Sequence, residues 1–385
     1  MSGFGRAIGR LVVVLALASA APTPGRAAAA CDAPQPVCDA AARVFAISSF
    51  DPVASAVLIQ NGLLITNRHA IADNARAEVF LPGGRKVVAD VVPTAFAGDL
   101  ILLRAPEIAA ERPLVTAVAG PDAVLYTIGA DVGRQAVRVY KPGRMLLAPV
   151  EGKPLARLHH DAYSQPGNSG GALVDDLGRL VGIVASGGSG RNEAIPAWAI
   201  ADVRAQSGPE HLAASQRIGI AYRKCAEALD AAQATRERLG PSHVKFINEQ
   251  CGASNNRQLW DLAGQVFGRQ RLIDDSLAMF RRALDQDPNA INSMLSMAIT
   301  LHLAGRYADE VTHLKRLLDV LPADAEVLRL GVQAGQWGNN KALRDKSLDL
   351  LARHHPKLAP LARDFIDKNP TPPKRRAPGE GPPGR

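Results

Sequence analysis

The sequence predicts an all-β domain over residues 44–207 followed by an all-α repeat domain over residues 257–368. Up to about residue 203, short β-branched runs alternate with Gly- and Pro-rich turns, as in β-barrels or sandwiches. After Gly208-Pro209 the apolar periodicity becomes helical. Three prolines then recur at intervals of 34 residues: Pro288, Pro322 and Pro356. The chain of 385 residues is long enough for two or three domains, each with its own core.

The predicted strands flank recognisable turns. Asn61-Gly62 separates the apolar runs 56–59 and 63–66, which is a strong hairpin signal. Pro82-Gly83-Gly84 separates two further runs in the same way. The remaining predicted strands include residues 79–81, 86–88, 124–127, 137–140 and 180–184.

The helical part resembles tetratricopeptide repeats, because its 34-residue period carries the residues of that pattern. The matching positions are Trp260, Gly264, Phe267, Phe280 and Ala283 in the first repeat, Ala298, Gly305 and Tyr307 in the second, and Leu328, Leu348 and Leu351 in the third. A helix pair cannot bury its apolar face alone, so neighbouring pairs are expected to stack. Within residues 210–256 we expect a capping pair of helices over about 215–238 and 241–252.

The first thirty residues read as a signal peptide for export. Arg6 and Arg10 precede an apolar run over residues 11–18, and small residues follow, with cleavage expected after Ala20 or Ala30. The run is too short for a transmembrane anchor, so a periplasmic or secreted protein is expected. Residues 28–31 loosely resemble a lipoprotein processing site, which leaves lipidation of Cys31 as an alternative.

The net charge of +8 is concentrated at the two ends of the chain, so the folded body is nearly neutral. No basic patch interleaved with aromatic residues is present, which argues against a nucleic-acid partner. The Pro- and Gly-rich tail over residues 369–385 is expected to be disordered.

Four cysteines behind an export signal indicate disulfides. Three pairings are open, and the local one joins Cys31 to Cys38, in the segment 31–43, and Cys225 to Cys251. Free thiols are the alternative. The absence of a CxxC motif from the sequence disfavours zinc.

The stretch Gly167-Asn168-Ser169-Gly170-Gly171 carries the predicted chemistry. A serine hydroxyl is a poor nucleophile and needs an imidazole base, a carboxylate to orient that base, and N–H groups for the oxyanion. His69 and Asp99 precede Ser169 in the chymotrypsin-type order. Glycines around the serine allow the tight turn that would aim the N–H groups of Gly167 and Ser169 at one point.

Residues 44 to about 202 resemble trypsin-like serine peptidases, and among them the HtrA-like bacterial branch. The segments that carry the resemblance are 65–69, 99–103, 161–173, 182–184 and 194–196. It implies two six-stranded barrels with the active site between them, His69 as general base, Asp99 as its orienting carboxylate and Ser169 as nucleophile. Asn168 before the serine does not support activation by a freed N-terminus. No peptide-binding PDZ segment is recognisable after Asp202.

The same resemblance implies substrate-binding residues. Tyr163 stands six residues before Ser169, where trypsin carries an acidic residue, so a preference for Lys or Arg is not implied. Ala185, Ser186 and Gly187 continue the strand that pairs with the substrate main chain in this family.

The sequence also contains a candidate metal site and other candidate carboxylates for the triad. His159-His160 invites a metal site, but no further ligand cluster is evident in the sequence, so neither a metal nor a cofactor is predicted. Rival carboxylates for the triad are Asp73, Asp90 and Asp122. Only Asp99 opens an apolar strand at the spacing of the family.

The predicted function is therefore an exported serine endopeptidase acting on protein or peptide substrates, with repeats that recruit a substrate or partner. A catalytically inactive trypsin-like scaffold, in which the repeats do the binding, is the alternative. The composition changes between about Ser207 and Ser215, which predicts separable domains and chemistry that needs nothing from the repeats.

Overall fold

The computed structural model describes residues 31–109, 112–133, 136–235 and 237–373. The predicted signal peptide and most of the predicted disordered tail lie outside these residues. The described residues from Ala33 onward belong to one compact unit, so the β and α parts of the described chain pack against each other.

The first β-domain is a closed six-stranded barrel in the order β1-β2-β3-β6-β5-β4. Its strands are β1 (Val44–Ser48), β2 (Ala54–Gln60), β3 (Leu63–Thr66), β4 (Arg76–Phe80), β5 (Lys86–Val92) and β6 (Ile101–Arg104). The predicted hairpin joins β2 to β3, with Gly62 at φ +70° in the turn. Alternate apolar side chains such as Ile47, Leu58 and Leu103 fill the interior.

The second β-domain has the order β11-β12-β13-β10-β9-β7-β8, and β11 also pairs with β7. Six strands therefore close into a ring, and β8 lies outside it as an extra partner of β7. The strands are β7 (Val124–Asp131), β8 (Ala136–Val139), β9 (Gly143–Leu147), β10 (Leu158–His160), β11 (Ala172–Asp175), β12 (Leu180–Ser186) and β13 (Asn192–Pro196). The predicted double barrel followed by an all-α region is confirmed.

Twelve α-helices lie in the described residues. They are α1 (Gln35–Ala40), α2 (Arg68–Ile71), α3 (Ala199–Ala205), α4 (Leu212–Ala234), α5 (Pro241–Ser254), α6 (Arg257–Arg269), α7 (Ile273–Gln286), α8 (Ile291–Ala304), α9 (Tyr307–Val320), α10 (Ala325–Trp337), α11 (Lys341–His354) and α12 (Ala359–Lys368). None of the described helices is both long and apolar enough to cross a membrane.

Three helix pairs repeat with the predicted spacing. Helices α6, α8 and α10 begin at Arg257, Ile291 and Ala325, 34 residues apart, and their partners α7, α9 and α11 keep the same interval. Within the first pair, a Cβ on Gly264 would lie 2.6 Å from the ring of Phe280, so glycine is needed there for close helix packing. The arrangement is consistent with repeats, and their tetratricopeptide character stays a prediction.

The pair α4 and α5 precedes these repeats. Cys225 of α4 is disulfide-bonded to Cys251 of α5, and Cys31 and Cys38 are also disulfide-bonded. Both members of the α4–α5 bond are fully buried. Since none of the four cysteines is free, the predicted disulfides agree with the structure.

Helix α4 also packs against the first barrel, beside the short helix α2. Arg223 of α4 binds Asp73 at 2.5 Å (Nε–Oδ1) and lies 4.6 Å from the ring centroid of Phe50. Gly219 faces the backbone of Ala72 so closely that a side chain would collide with it. The segment that follows α2 is therefore held by the helical part of the chain.

Candidate active site

The first barrel brings His69 and Asp99 together. His69 lies in α2, directly after β3, and Asp99 lies just before β6, which pairs with β3. The backbone N–H of His69 donates to Asp99 Oδ1 at 2.9 Å, and the ring Nδ1 donates to Asp99 Oδ2 at 2.7 Å. Asn67 Nδ2 also donates to the Asp99 carbonyl at 3.0 Å. These bonds fix the orientation of the imidazole.

Electrostatics favour the ionised carboxylate of this pair. Burial alone would raise the pKa of Asp99, but the charge and hydrogen bonds of His69 bring it below its ordinary value. Burial likewise acts to lower the pKa of His69, and the neighbouring Asp99 reverses this, so the pKa of the imidazole is raised. The carboxylate thus stabilises a protonated imidazole, as a base that accepts a proton requires.

The loop of Ser169 is held between the two barrels. Ser55 of β2 donates through Oγ to the Gly167 carbonyl at 2.7 Å, and its N–H donates to the Ser169 carbonyl at 2.7 Å. Gly167 adopts φ +93°, a conformation that favours glycine. Within the described chain, the N–H groups of Gly167 and Ser169 donate no hydrogen bond. They are therefore free to bind an oxyanion.

Ser169 and His69 are not hydrogen-bonded to each other in this structure. Ser169 Oγ donates to the Ala185 carbonyl at 3.3 Å. His69 Nε2 lies 3.8 Å from Asp51 Oδ2. Catalytic hydrogen bonds are often loose in a free enzyme and tighten on substrate binding, so this geometry does not argue against the pair.

Asp51 is a site residue that the sequence analysis missed. It follows β1, and its N–H donates to the Ala70 carbonyl at 3.1 Å, which brings the carboxylate to the histidine. Burial raises the pKa of Asp51. No motif surrounds Asp51 in the sequence, and only the closing of the barrel places it beside α2.

The rival carboxylates lie elsewhere. Asp73 pairs with Arg223, and Asp90 pairs with Arg76 on the exposed surface. Asp122 lies in an exposed turn. Of the four carboxylates weighed from the sequence, the structure brings Asp99 to His69 Nδ1.

The predicted substrate-binding residues lie at different places in this site. Tyr163 is 50% exposed and stacks on Tyr140 with ring centroids 5.8 Å apart. Ala185 is buried near the end of β12, and Ser186 Oγ donates to Glu193 Oε2 at 2.9 Å. Gly187 adopts φ +146°, with Asn192 occupying the space of a side chain.

A buried charge network reaches this site from the helices. Arg157 Nη2 lies 3.7 Å from Asp99 Oδ2, and its Nη1 lies 3.2 Å from Glu193 Oε2. Glu193 is also bound by Arg257 of α6. Asp287, just after α7, binds His159 Nε2 at 3.0 Å. Because these partners lie far apart in sequence, no spacing rule identifies the network.

The charges in this network compensate one another. Burial would raise the pKa of Glu193, but the neighbouring Arg257 and His159 bring it well below its ordinary value. His160 does not take part through its ring, and burial together with His159 lowers its pKa to about 3. Among the described residues, no group of three or more His, Cys, Asp or Glu side chains is arranged to hold a metal ion.

Helix α4 contributes a further residue beside the histidine. Tyr222 stacks on His69 with ring centroids 6.4 Å apart and an interplanar angle of 27°. Its side chain is buried, and Phe50 packs edge-on against it. The imidazole is therefore covered on one face by the helical part of the chain.

One part of this chain is similar to a known protein family. Residues 54–183 match the family model of the trypsin-like peptidase domain. This stretch includes β2, the His69–Asp99 pair and the Ser169 loop. The match covers the part of the chain in which the sequence predicts the chemistry.

Among individual proteins, the chain is similar to serine proteases named HtrA. The chain is 30% identical over 137 residues to the serine protease Do-like HtrA of Lactococcus lactis, covering 32% of this chain and 33% of that protein. A Lactobacillus helveticus protein of the same name is 31% identical over 134 residues. The chain spans about a third of the length of these relatives. Both relatives are named as serine proteases.

Solved structures of proteases are also similar. One is the Rv3671c protease of M. tuberculosis in its active form, at 22% identity and TM-score 0.39, covering 45% of this chain and 84% of that one. Another is the serine endoprotease from Yersinia pestis, at 28% identity and TM-score 0.37, covering 44% of this chain and 64% of that one. The double-barrel fold of this chain follows from its own strand pairing.

Proposed function

We propose that this chain is an exported serine endopeptidase. The observation that carries the proposal is the buried His69–Asp99 pair, joined by a 2.7 Å hydrogen bond within the stretch that matches a peptidase domain. A protein that used this fold only as a scaffold would have no physical need for that pair beside a glycine-rich serine loop. The inactive scaffold is therefore the weaker alternative.

The catalytic cycle follows from the positions of three side chains. Asp99 holds the proton on Nδ1 of His69, which leaves Nε2 unprotonated and able to accept a proton. Ser169 would give up its bond to the Ala185 carbonyl, donate its proton to Nε2 and attack the peptide carbonyl. His69 then returns this proton to the leaving amine. Water repeats the sequence to release the acyl group.

The negative charge that develops on the carbonyl oxygen of the substrate needs hydrogen-bond donors. The N–H groups of Gly167 and Ser169 donate no hydrogen bond within the described chain. The positive φ of Gly167 shapes the turn that would direct both groups at the oxyanion. Removing a donor of this kind costs roughly a hundredfold or more in turnover in comparable sites. No cofactor takes part in the proposed reaction.

Export and recruitment complete the proposal. Bonded cysteines fit an oxidising compartment, in agreement with the leader read from the sequence. The three helix pairs at 34-residue spacing would act as tetratricopeptide repeats that recruit a substrate or a protein partner. The peptidase part would supply the chemistry.

The test is Ser169→Ala, with Ser164→Ala in the same loop as its matched control. We expect Ser169→Ala to lose hydrolysis of casein by on the order of a thousandfold or more, because covalent catalysis disappears. It should also lose labelling by a fluorophosphonate, while circular dichroism stays unchanged. Ser164→Ala should keep both activities. Casein cleavage at the wild-type rate by folded Ser169→Ala would rule out this nucleophile.

A further inference from the structure

Arg157 is a buried cation beside the proposed triad. It lies just before β10, and its side chain is only 3% exposed. Its Nη2 lies 3.7 Å from Asp99 Oδ2, the oxygen that accepts the hydrogen bond from His69 Nδ1. Its Nη1 donates to Glu193 Oε2 and to Ser186 Oγ, both at 3.2 Å. The guanidinium therefore pairs with two carboxylates, and one of them orients the imidazole.

The main chain at Arg157 is held by the helical part. Asp287 follows α7, and its Oδ2 accepts from the backbone N–H of Arg157 at 3.2 Å. The same oxygen lies 3.0 Å from His159 Nε2, two residues further along the chain. Asp287 is fully buried, so these polar contacts are made away from water, where they are strong. The start of β10 is thereby fixed to the end of α7.

The side chain of Arg157 depends on the helical part through Glu193. Arg257, the first residue of α6, donates from Nη1 to Glu193 Oε1 at 3.0 Å, and its Nη2 binds Oε2. Oε2 is also the oxygen that accepts from Arg157. One carboxylate thus serves two arginines. Because Arg257 offsets the negative charge of Glu193, that charge does not cancel the effect of Arg157 on Asp99.

We propose that Arg157 is a positioning residue of the triad, held against Asp99 by Asp287 and Arg257 of the helical part. This rests on the proposed peptidase function, in which Asp99 orients the base. Arg157 acts on His69 through this carboxylate, because a cation beside Asp99 favours its ionised form and competes with the imidazole for its negative charge. The helices then do more than recruit a substrate, since they help to set the charge of the base.

Other charged groups also face His69. Burial lowers the pKa of the imidazole, and Asp99 reverses this effect. Asp51 raises the pKa further, while Arg157 lowers it. Arg157 is the cation among these groups, so it limits the rise in pKa that the two carboxylates produce.

Two further residues lie next to this histidine. Tyr222 of α4 stacks on the ring, and burial raises the pKa of its hydroxyl well above the ordinary value, so it stays neutral. Arg68 precedes His69 in α2, and its Nη2 donates to the carbonyls of Thr94 and Phe96 at 3.3 and 3.2 Å. Burial lowers the pKa of Arg68 to about 10, which leaves it charged at neutral pH. A change in the acidic limb of a pH profile therefore reports on His69 and its paired carboxylates.

The experiment compares two double variants that each remove one cation and one anion from this network. The rate of labelling by a fluorophosphonate is measured against pH on the full chain. Arg157→Met/Glu193→Gln should move the acidic limb to higher pH by about half a unit or more, because the imidazole loses a cation that lowers its pKa. Arg257→Met/Glu193→Gln leaves Arg157 in place and should not move the limb upwards. Arg269→Met, at an exposed position of α6, is the control and should leave the profile unchanged.

The single variant Arg257→Met tests the contribution of the helices. Without Arg257, the full charge of Glu193 acts on Arg157 and weakens its effect on Asp99, so the limb should again move to higher pH. Arg257→Lys keeps the charge but cannot bind both carboxylate oxygens as a guanidinium does, and it should give a smaller shift in the same direction. Circular dichroism checks that each variant is folded, and the lysine variant carries the test where the methionine variant is not.

Identical acidic limbs in the two double variants, or slower labelling without a shift, would show that Arg157 has only a structural role. An unshifted limb in the folded single variants of Arg257 would show that the helices do not hold Arg157 against Asp99. Each of these outcomes overturns the inference and leaves the peptidase intact. A complete absence of Ser169-dependent labelling in the unaltered chain would overturn both.

Discussion

The charge of His69, the proposed general base, is controlled by residues that approach it from opposite sides. Asp99 holds Nδ1, while Asp51 lies 3.8 Å from Nε2. Both carboxylates raise the pKa of His69, and Arg157 acts in the opposite direction. Since the proposed general base must be unprotonated to act, these neighbours should set the pH at which activity begins.

Asp51→Asn removes one of these charges with little change in shape. Losing that negative charge should lower the pKa of His69. The acidic limb of the kcat/KM profile should therefore move to lower pH, because the imidazole becomes unprotonated earlier as pH rises. Asp90→Asn, which alters an exposed carboxylate paired with Arg76, is the control and should leave the profile unchanged. An unshifted acidic limb in Asp51→Asn would show that Asp51 does not influence the base.

At the scale of elements, α4 joins the helical part to the first barrel. It carries Tyr222 against His69, Arg223 against Asp73 and Cys225 in the bond to α5. Its hydrophobic cluster also includes Trp260 and Phe267 of α6. The helix thus belongs both to the array and to the surroundings of the active site.

The α4–α5 disulfide should be a main source of stability for this region. Non-reducing peptide mapping of exported protein should find Cys225 linked to Cys251. Replacing both with serine should lower the free energy of unfolding by about 3 kcal/mol, since the unfolded chain loses a loop constraint. Urea denaturation measures this change, with Ala213→Ser at an exposed position near the start of α4 as the control. Two free thiols in exported protein would contradict the prediction.

At the scale of the whole molecule, the peptidase part and the helices share buried charges. Arg157 and Glu193 from the barrel meet Arg257 and Asp287 from the helical side. Separating the parts would leave Glu193 buried with fewer cations or exposed to water. The predicted boundary between Ser207 and Ser215 therefore divides the sequence at a place where the packing is continuous.

A cut at an engineered protease site between Ser207 and Ser215 should leave the two pieces associated and still able to cleave short peptides. Gel filtration and peptidase assays measure this. Residues 31–207 expressed alone should be less stable by about 3 kcal/mol or more, because a buried ion pair loses its partner. If this fragment matches the full chain in stability and activity, the chemistry needs nothing from the helices, as the sequence alone predicts.

The sequence by itself determined the features that follow from a short motif or a regular spacing. These are the turn at Asn61-Gly62, the glycine-rich loop of Ser169 and the 34-residue spacing of the helices, each of which can be recognised without knowing how the chain folds. The predicted partnership of His69 and Asp99 rests on a family resemblance. The structure places that pair together and not His69 with Asp73 or Asp90.

Only the tertiary structure decided how the helices meet the peptidase site. Tyr222 reaches His69 across more than 150 residues of chain, and Arg257 reaches Glu193 across 64. Long-range pairs of this kind leave no periodicity or spacing in one sequence, because each residue type is common and its partner is set by how whole elements pack.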